Sequence, residues 1–464
     1  MNRENSNKRT WIFEEAPIAQ AVFTMAIPTI ITQLINIVYN FADAWYVGRT
    51  GSAAMMAALS VSLPIFIIIQ ALANLFGIGG ASAISRALGR KEVTRARKIF
   101  AFSLYGGLMA AVIYGITVFF SRPLMIPLIG GSEDSYRYVY DYMFWTMVVG
   151  AIPTLGNALC GHLVRSIGAA KEAGFGLSMG GVLNIILDPL FMFVLLPRGM
   201  EVTGAAIATC LSNTIALAYF LIYLYRHRDN PVFTFSPADF TIDEGIPGEV
   251  FSIGSAAALQ TSLAMVSNIF ANKLVADYGS AAVAGMGIAK KVNMIAFNTT
   301  LGLTQGVLPL IAYNYGARKF ERMQKTIRFT VSVALGFTTC CTVIFRIFTR
   351  QLITFFINEP ASVEFGTRFL SVLAFAAPLC ALSYMANTIF QAAGKRRSSF
   401  ILSIMRKGVV DIPAMYVFKM LMGLYGVSWA TPFAEVTSVV TAAILYLKFR
   451  RELGLKGAAS FRKN

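Results

Sequence analysis

The sequence predicts an all-α integral membrane protein with twelve transmembrane helices, arranged as two six-helix bundles of parallel orientation. Its composition, its apolar stretches and an internal repeat each point to this fold class. Of the 464 residues, 56% are hydrophobic and 14% are charged. Stretches of about 20 apolar residues recur along the chain, and each is long enough to cross roughly 30 Å of hydrocarbon as a helix. Because the stretches are continuous rather than alternating, they favour helices over a β-barrel.

The predicted spans fall into two sets of six. Those of the first set lie at about 18–43, 54–79, 99–121, 138–161, 174–197 and 203–226. Those of the second set lie at about 250–276, 283–312, 326–348, 367–391, 399–420 and 424–447. The prolines and acidic residues of 227–249 interrupt the hydropathy, so this segment is expected to link an N-terminal half, 1–226, to a C-terminal half, 250–464. Residues 1–16 and 448–464 are expected to be cytoplasmic tails.

The second half repeats short patterns of the first. Four patterns recur in the same order, with 51–54 matching 279–282, 89–91 matching 316–319, Gly168 matching Gly394, and Gly204 matching Gly426. Any one match alone would be chance. Four ordered matches indicate a duplicated half of about 225 residues. In membrane transporters such a duplication is typical of two bundles that rock about a site held between them.

Basic residues set the predicted orientation. They are dense in the N-terminal tail and in the loops at 86–98, 318–325 and 395–397, and sparse in the loops near Arg137 and Arg198. Because basic loops stay in the cytoplasm, both termini are predicted to be cytoplasmic. Six spans per half then give both halves the same orientation. The net charge of +17 is thus a feature of topology, and nucleic acid is not an expected partner.

The scarcity of cysteine and histidine and the lack of a phosphate-binding motif argue against metal, redox and nucleotide chemistry. The five cysteines lie within or at the ends of predicted spans, where they are expected to be small packing residues. The two histidines, His162 and His227, lie near the cytoplasmic face, and no Gly-Lys-Ser/Thr phosphate loop is present. The sequence therefore predicts no metal, no cofactor and no enzymatic activity.

The fifth predicted span contains polar residues that hydrocarbon disfavours. Asn184 and Asp188 are four residues apart and share one helix face. Pro189 has no N–H and clashes with the carbonyl of Ile185, which leaves that carbonyl without its helical partner. A carboxylate, an amide and a free carbonyl offer the oxygen ligands that a proton or Na⁺ needs. The alternative is an aspartate that caps a kinked helix or pairs with a lysine, but an intramembrane aspartate is functional by default.

The first predicted span offers a partner face. Its polar residues, at spacings of three, four and three, are Gln33, Asn36, Asn40 and Asp43. Asp43, Asp188 and Thr209 are all expected in the outer half of the N-terminal bundle. For Asp43, a position at the membrane interface with no coupling role explains its depth nearly as well. Two facing carboxylates disfavour double ionisation, so such a pair could exchange a proton or Na⁺. Proton uptake could then bend the first span at Pro28, a hypothesis that normal transport by a Pro28→Ala protein would contradict.

The C-terminal half has corresponding helices with different ionisable groups. The position 228 residues after Asp43 is Ala271, and the intramembrane acids are Asp411 and Glu435. We therefore place the coupling site in the N-terminal half. Two roles for the C-terminal acids stay open: a second site, or counter-ions for the basic residues Lys290, Lys291, Arg406 and Lys407.

Three motifs resemble those of the multidrug and toxic compound extrusion (MATE) transporters over essentially the whole chain. They are Asn40…Asp43…Val47-Gly48, Arg165…Gly168…Lys171…Asn184…Leu187-Asp188-Pro189 and Gln305-Gly306…Pro309…Tyr313-Asn314-Tyr315-Gly316-Ala317-Arg318. The resemblance implies two six-helix lobes in a V shape around a central cavity. It also implies export of amphipathic, often cationic compounds in exchange for H⁺ or Na⁺, by a monomer in the bacterial inner membrane.

In prokaryotic members, the resemblance implies an N-lobe pocket of Asp, Asn, Asp and Thr that carries the coupling ion. These roles fall on Asp43, Asn184, Asp188 and Thr209. Thr203 is also within reach of the threonine role. Some members carry a carboxylate in the tenth span, but this chain has none between Arg368 and Gln391. A Na⁺ site of that kind is therefore not expected in the C-lobe.

A substrate cavity between the lobes is expected to be lined by the first and seventh spans and their neighbours. The polar candidates for its wall are Gln33, Asn36, Tyr39, Asn40, Asn157, Gln260, Asn268, Asn272 and Gln305. The 20 methionines and 36 phenylalanines supply adaptable apolar surface that suits promiscuous binding. The rival function is a flippase for lipid-linked saccharides, which would be expected to have extra helices and a strongly cationic cavity. A lipid transferase is disfavoured because no clustered nucleophile or base is visible.

Overall fold

The computed structural model describes residues 10–454, and every regular element within that range is helical. The helices of the first half are α1 Ile18–Gly48, α2 Ala53–Gly89, α3 Val93–Leu128, α4 Glu133–Met143, α5 Ala151–Ser166, α6 Ala170–Leu190 and α7 Glu201–Arg226. Those of the second half are α8 Ile246–Ala276, α9 Ser280–Gly316, α10 Phe320–Ile347, α11 Thr349–Thr354, α12 Pro360–Leu373, α13 Ala376–Ala392, α14 Arg396–Ile404, α15 Asp411–Met422 and α16 Leu424–Glu452. Short π-helical turns follow α4, α6 and α14.

Membrane-length segments account for most of the described chain. Within residues 10–454, nine segments are long and apolar enough to cross a membrane. Two bent pairs, α4 with α5 and α12 with α13, pass the same test together, with bends of 49° and 46°, which gives up to eleven. The prediction of an all-helical membrane protein is confirmed, while the number twelve stays a prediction.

The predicted span at 399–420 is the one that falls outside this set. It corresponds to α14, the π-helical turn Met405–Val409 and α15. Arg406, Lys407 and Asp411 lie at this interruption, so neither short helix offers a long apolar run. A π turn opens the regular helical ladder, and such turns are frequent at functional sites.

Two helices extend well beyond their apolar runs. Helices α2 and α9 each contain 37 residues, about 55 Å at 1.5 Å per residue. The predicted spans 54–79 and 283–312 cover only the apolar parts of these helices. In α2 the additional turns include the buried residues Ser82 and Arg86, because the helix continues into a packed region past the hydrocarbon-length run.

The two halves cross at a pair of glycines that the repeat relates to each other. Helix α2 packs against α8, and α1 packs against α9. A Cβ atom at Gly89 would overlap the carbonyl oxygen of Tyr313, and a Cβ atom at Gly316 would overlap that of Arg86. Each glycine thus meets the carbonyl three residues before the other. This reciprocal contact lets the ends of α2 and α9 approach closely.

Residues just before α1 also contact the second half. The ring of Phe13 stacks on that of Tyr313 with 4.8 Å between centroids. Lys319 Nζ lies 2.9 Å from a carboxylate oxygen of Glu14, and the Tyr313 hydroxyl donates to the other. These two hydrogen bonds lower the pKa of Glu14. The Arg322 guanidinium donates to the carbonyl oxygens of Phe13 and Ala16. The segment before the first span is therefore bound to α9 and α10.

Candidate functional site: two polar clusters in the two halves

Three of the predicted coupling residues lie together between α6 and α7. Asn184 Nδ2 donates to Asp188 Oδ1 at 3.0 Å and to Thr209 Oγ1 at 3.1 Å. The spacing of four residues places Asn184 above Asp188 on one helix face. Asp188 is fully buried, and Asn184 and Thr209 are buried. These three residues form what we call the N-half cluster.

The chain leaves its regular helical path directly below this cluster. Pro189 removes one hydrogen-bond donor from α6, and a π-helical turn, Phe191–Leu195, follows. The hydroxyl of Tyr46 on α1 lies 3.4 Å from the carbonyl oxygen of Ile185, the carbonyl that Pro189 leaves without a helical partner. The sequence predicted the exposed carbonyl but not the tyrosine.

Asp43 faces this cluster from α1. Its side chain is partly buried and makes no hydrogen bond or ion pair with another residue of 10–454. Asp43 is close enough to Asp188 that the two carboxylates would repel each other if both were ionised. Asp188 Oδ2 and Asn184 Oδ1 are buried and accept no hydrogen bond from the described residues. Asp43 and the N-half cluster together thus offer two carboxylates and a free amide oxygen, a ligand set that suits a proton or a small hard cation.

Pro28 lies within α1 at a contact with α6. A Cβ atom at Gly174 would come within 2.7 Å of the Pro28 ring. Thr32 Oγ1 lies 3.0 Å from the Pro28 carbonyl oxygen and 3.2 Å from that of Gly174. Helix α1 continues through the proline. The predicted bending position is therefore packed against the helix that carries Asp188.

The other polar candidates of the first half divide between local and long-range contacts. Asn40 donates to the Asn36 carbonyl at 2.6 Å, one turn earlier on α1. Gln33 Nε2 lies 3.5 Å from Gln305 Oε1 on α9. Asn157 donates to Asn213 at 3.1 Å. Tyr39 is on the same helix as Asn36 and Asn40, and Gly181 of α6 lies against Asn36 and Tyr39.

A cavity of about 540 Å³ lies largely in the second half. Of the predicted wall residues, Gln260, Asn268 and Gln305 line it. Asn272 lies beside it, since Lys290 Nζ donates to both Asn268 at 2.7 Å and Asn272 at 3.1 Å. The remaining predicted wall residues lie elsewhere on the first half. We call this space the C-half cavity.

Three cations line the C-half cavity, and they are Lys290, Arg406 and Lys407. Arg406 Nε lies 2.7 Å from Glu435 Oε1, and Lys407 Nζ lies 3.0 Å from Asp411 Oδ2. Ser267 donates to the same Asp411 oxygen at 2.6 Å. Both acids are fully buried, and both have the geometry of counter-ions. Lys291 is not part of this arrangement, because its ammonium lies over the ring of Phe41.

One family model matches a segment in each half of the chain. The MatE family model matches residues 28–190 and then again 253–417. The two matches together cover most of the chain. The chain belongs to the MATE family. This confirms the resemblance inferred from the motifs, and the chain is accordingly a multi-pass membrane transporter rather than an enzyme.

Curated MATE relatives extend over nearly the full chain. The multidrug export protein MepA of Staphylococcus saprophyticus is 31% identical over 448 residues, which cover 96% of this chain and 97% of the relative. MepA of Staphylococcus aureus strain NCTC 8325 is 29% identical over 449 residues, with the same coverage of 96% and 97%.

Solved MATE structures share the fold over the same length. A crystal structure of MATE in complex with MaL6 has a TM-score of 0.88 at 25% identity and covers 96% of this chain and 98% of that one. A multidrug resistance MATE family transporter of the MOP superfamily, in an outward-facing conformation, has a TM-score of 0.87 at 24% identity, with coverage of 96% and 97%. The helical architecture described above is therefore that of MATE transporters.

Sequence reasoning missed several contacts within this MATE protein. Tyr46 follows Asp43 by three residues and Asn213 follows Thr209 by four, so helical spacing could have added both. Lys290 was considered only as a partner for acids, whereas it binds the amides of Asn268 and Asn272. Residues such as Asn387, which donates to Gln260 at 2.6 Å, carry no signal in the sequence. Among residues 10–454, no group of three or more His, Cys, Asp or Glu side chains is placed to hold a metal ion.

Proposed function

We propose that this protein is a secondary active antiporter that exports amphipathic, often cationic drugs or toxins in exchange for H⁺ or Na⁺ by alternating access. The observation that carries the proposal is the buried carboxylate of Asp188, bonded to Asn184 and facing Asp43. An intramembrane carboxylate with a free oxygen is functional by default. The proposal is also supported by relatives that are named multidrug export proteins.

The coupling role belongs in this proposal to Asp43, Asn184, Asp188 and Thr209. A coupling ion that binds between the two carboxylates removes their repulsion, which favours the state in which they are close together. Loss of the ion restores the repulsion and favours a state in which α1 and α6 separate. Pro28 is suited to absorb that movement, because a proline interrupts the helical hydrogen-bond ladder and this one packs on α6 at Gly174.

The architecture that we propose has twelve spans in two lobes, 1–226 and 250–464, joined by a cytoplasmic linker at 227–249. The lobes form a V around a central cavity, with both termini cytoplasmic, in a monomer within the bacterial inner membrane. The symmetric glycine contact of Gly89 and Gly316 supports a seam at which the two lobes meet. Such parallel repeats are typical of transporters that alternate by rocking one bundle against the other.

One observation favours the second candidate, a flippase for lipid-linked saccharides. The C-half cavity is lined by Lys290, Arg406 and Lys407, and a pyrophosphate requires cations. Two of these cations already have carboxylate partners in Glu435 and Asp411, which leaves about one positive charge. The named relatives are multidrug export proteins rather than flippases. Drug export is therefore the function that we favour.

The test is ethidium efflux from cells that express the protein, under an imposed proton gradient and then a sodium gradient. We expect efflux by the wild type, loss of efflux in Asp43→Asn and Asp188→Asn, and normal efflux in Asp134→Asn. Asp134 is a suitable control because it is an exposed acid in the first turn of α4. The gradient that drives efflux identifies the coupling ion. Normal efflux in both Asp43→Asn and Asp188→Asn would contradict the proposed coupling site. No efflux by the expressed wild type would contradict drug export.

A further inference from the structure

The lining of the C-half cavity carries charge of one sign. Lys290, Arg406 and Lys407 are the charged side chains in its wall, and no carboxylate among residues 10–454 lines it. The two nearby acids, Asp411 and Glu435, have no exposed surface. They lie behind the cations, where a molecule in the cavity does not reach them. A molecule in the cavity therefore meets only cations, although two acids lie directly behind them.

The two ion pairs beside the C-half cavity leave one of its three cations without a carboxylate partner. Glu435 pairs with Arg406 and Asp411 pairs with Lys407. Lys290 forms no ion pair with a residue of 10–454, and its ammonium donates only to the amide oxygens of Asn268 and Asn272. A neutral amide oxygen leaves the charge of the ammonium uncompensated, whereas a carboxylate adds the attraction of an opposite charge. Lys290 is therefore the cation at which a bound anion would gain the most binding free energy.

Apolar side chains complete the wall around the cations. They include Met265, Met286, Met294, Phe297, Leu301 and Met415. Flexible methionines and an aromatic ring suit an organic body of varied shape. A cavity of about 540 Å³ is in the size range of small-molecule sites. The cavity thus combines an apolar surface with a single excess cation.

We propose that the C-half cavity binds the carboxylate of an amphipathic organic anion or zwitterion, with Lys290 as its charge partner. Asn268 and Asn272 hold the ammonium in position until the carboxylate accepts its hydrogen bonds. The proposal extends the proposed export function to anionic groups, and it rests on that function only for the direction of transport. It differs from the facing pair of Asp43 and Asp188 in the first half, whose carboxylates suit cations.

The charge of the cluster distinguishes a carboxylate from a pyrophosphate. Counted by formal charge, the three cations and two buried acids sum to one positive charge. A carboxylate supplies one negative charge, whereas a pyrophosphate supplies more than one and would leave an excess of negative charge in the membrane interior. Burial of an unpaired charge is costly. A singly charged carboxylate is therefore the better match.

The test is calorimetric titration of the full-length protein in phosphatidylcholine nanodiscs, with empty nanodiscs as the blank. The probes are 1-naphthaleneacetate and its neutral analogue 1-naphthaleneacetamide, which share one apolar body. We expect the wild type to bind the carboxylate about tenfold more tightly than the amide, as a charge-assisted hydrogen bond implies. In Lys290→Gln the two affinities should become equal through about a tenfold loss for the carboxylate alone. In Lys290→Arg the preference should be retained.

The matched control is Lys291→Gln, because Lys291 is the adjacent lysine and lies over Phe41 rather than in the cavity. It should bind both probes as the wild type does. Unchanged affinity for the amide in Lys290→Gln shows that the variant is folded. Equal binding of both probes by the wild type, or a carboxylate preference that persists in Lys290→Gln, would overturn the proposal.

Two further arms identify other occupants. Tighter binding of geranyl pyrophosphate than of naphthaleneacetate, with dependence on Lys290, would overturn the proposal in favour of a pyrophosphate site. Loss of naphthaleneacetate binding in phosphatidylglycerol nanodiscs would overturn it in favour of a lipid headgroup. The titration needs no ion gradient. Failed ethidium efflux therefore contradicts the antiporter while leaving this inference in place, and equal probe binding contradicts the inference while leaving the antiporter in place.

Discussion

The two halves of this MATE-family protein hold opposite charge inside the membrane. In the first half, Asp43 and Asp188 form no ion pair within residues 10–454, and their neighbours are an amide and hydroxyls. In the second half, two acids are paired with Arg406 and Lys407, and Lys290 adds an excess cation. The halves share a repeat, but the position 228 residues after Asp43 is Ala271. Duplication has thus kept the scaffold and not the polarity of its interior.

The two halves have the same residue, glycine, where their backbones touch. Gly89 and Gly316 are 227 residues apart in the repeat, and each meets a carbonyl of the other helix. A larger side chain at either position displaces both helices, which explains why the repeat retains glycine there. A buried side chain inside one half has no such reciprocal partner. The comparison therefore teaches that packing between the halves and chemistry within them are separable, and the following predictions test that separation.

The largest effect on stability is expected from a variant that breaks an ion pair in the second half. Arg406→Met leaves Glu435 fully buried without its counter-ion. Removing one partner of a buried pair costs about 3–5 kcal/mol, because the remaining charge is uncompensated. We expect a large fall in the thermal unfolding temperature of the purified protein. Asp188→Asn in the first half removes a charge and leaves no cation unpaired, so its unfolding temperature should change little.

The double variant Arg406→Met, Glu435→Leu provides the control for this prediction. It removes both charges, and replacing a buried ion pair with apolar side chains is often neutral. We expect it to recover most of the lost stability. An unfolding temperature of Arg406→Met equal to that of the wild type would show that Glu435 is not held as a buried anion.

A smaller and symmetric effect is expected at the glycine crossing. Gly89→Ala and Gly316→Ala each place a Cβ atom against a backbone carbonyl that cannot rotate away. Overpacking of this kind costs about 1–3 kcal/mol. Because the two contacts are reciprocal, the two variants should lower the unfolding temperature by similar amounts.

Gly336→Ala is the matched control for the crossing, since no atom lies within 4 Å of a Cβ atom at that position of α10. Alanine is favoured over glycine in a helix by about 1 kcal/mol, so this variant should be neutral or more stable. A strong effect at Gly89 and none at Gly316 would show that the two contacts are not equivalent.

The parts of the fold that follow from hydrocarbon were predictable from sequence. A continuous apolar run has one stable conformation in a bilayer, so the positions of α1 and α3 could be located. The ends of α2 and α9 could not, because they are set by packing beyond the apolar run. The interruption at Met405–Val409 was also not predicted. Arg406 and Lys407 are charged in a predicted span, and only their partners explain how they are accommodated.

Local spacing predicted part of the candidate site. Asn184 and Asp188 are four residues apart, and α6 brings them into contact. Thr209 joined them through the family resemblance and is bonded to Asn184. The contact of Tyr46 with the Ile185 carbonyl depends on the relative rotation of α1 and α6. No pattern within either helix encodes that rotation, so tertiary contacts of this kind were beyond sequence reasoning.

The smallest effect is expected at the link between the segment before α1 and the second half. Hydrogen bonds from Tyr313 and Lys319 lower the pKa of Glu14. A carboxyl group with a lower pKa in the folded state stabilises that state above its unfolded pKa of about 4.3, and this contribution is lost as the pH falls through the folded value. Because the ion pair with Lys319 is partly exposed, solvent screening should keep the contribution to roughly 1 kcal/mol or less.

Glu14→Gln should therefore lower the unfolding temperature slightly at pH 7, and the difference from the wild type should shrink below about pH 4. The control is Glu15→Gln, since Glu15 is adjacent and exposed and should show no difference at either pH. A loss of stability in Glu14→Gln that is the same at both pH values would mean that the hydrogen bond from Tyr313, rather than the charge, is what matters. At this contact between the halves, packing and neutral hydrogen bonds would then contribute more to stability than charge does.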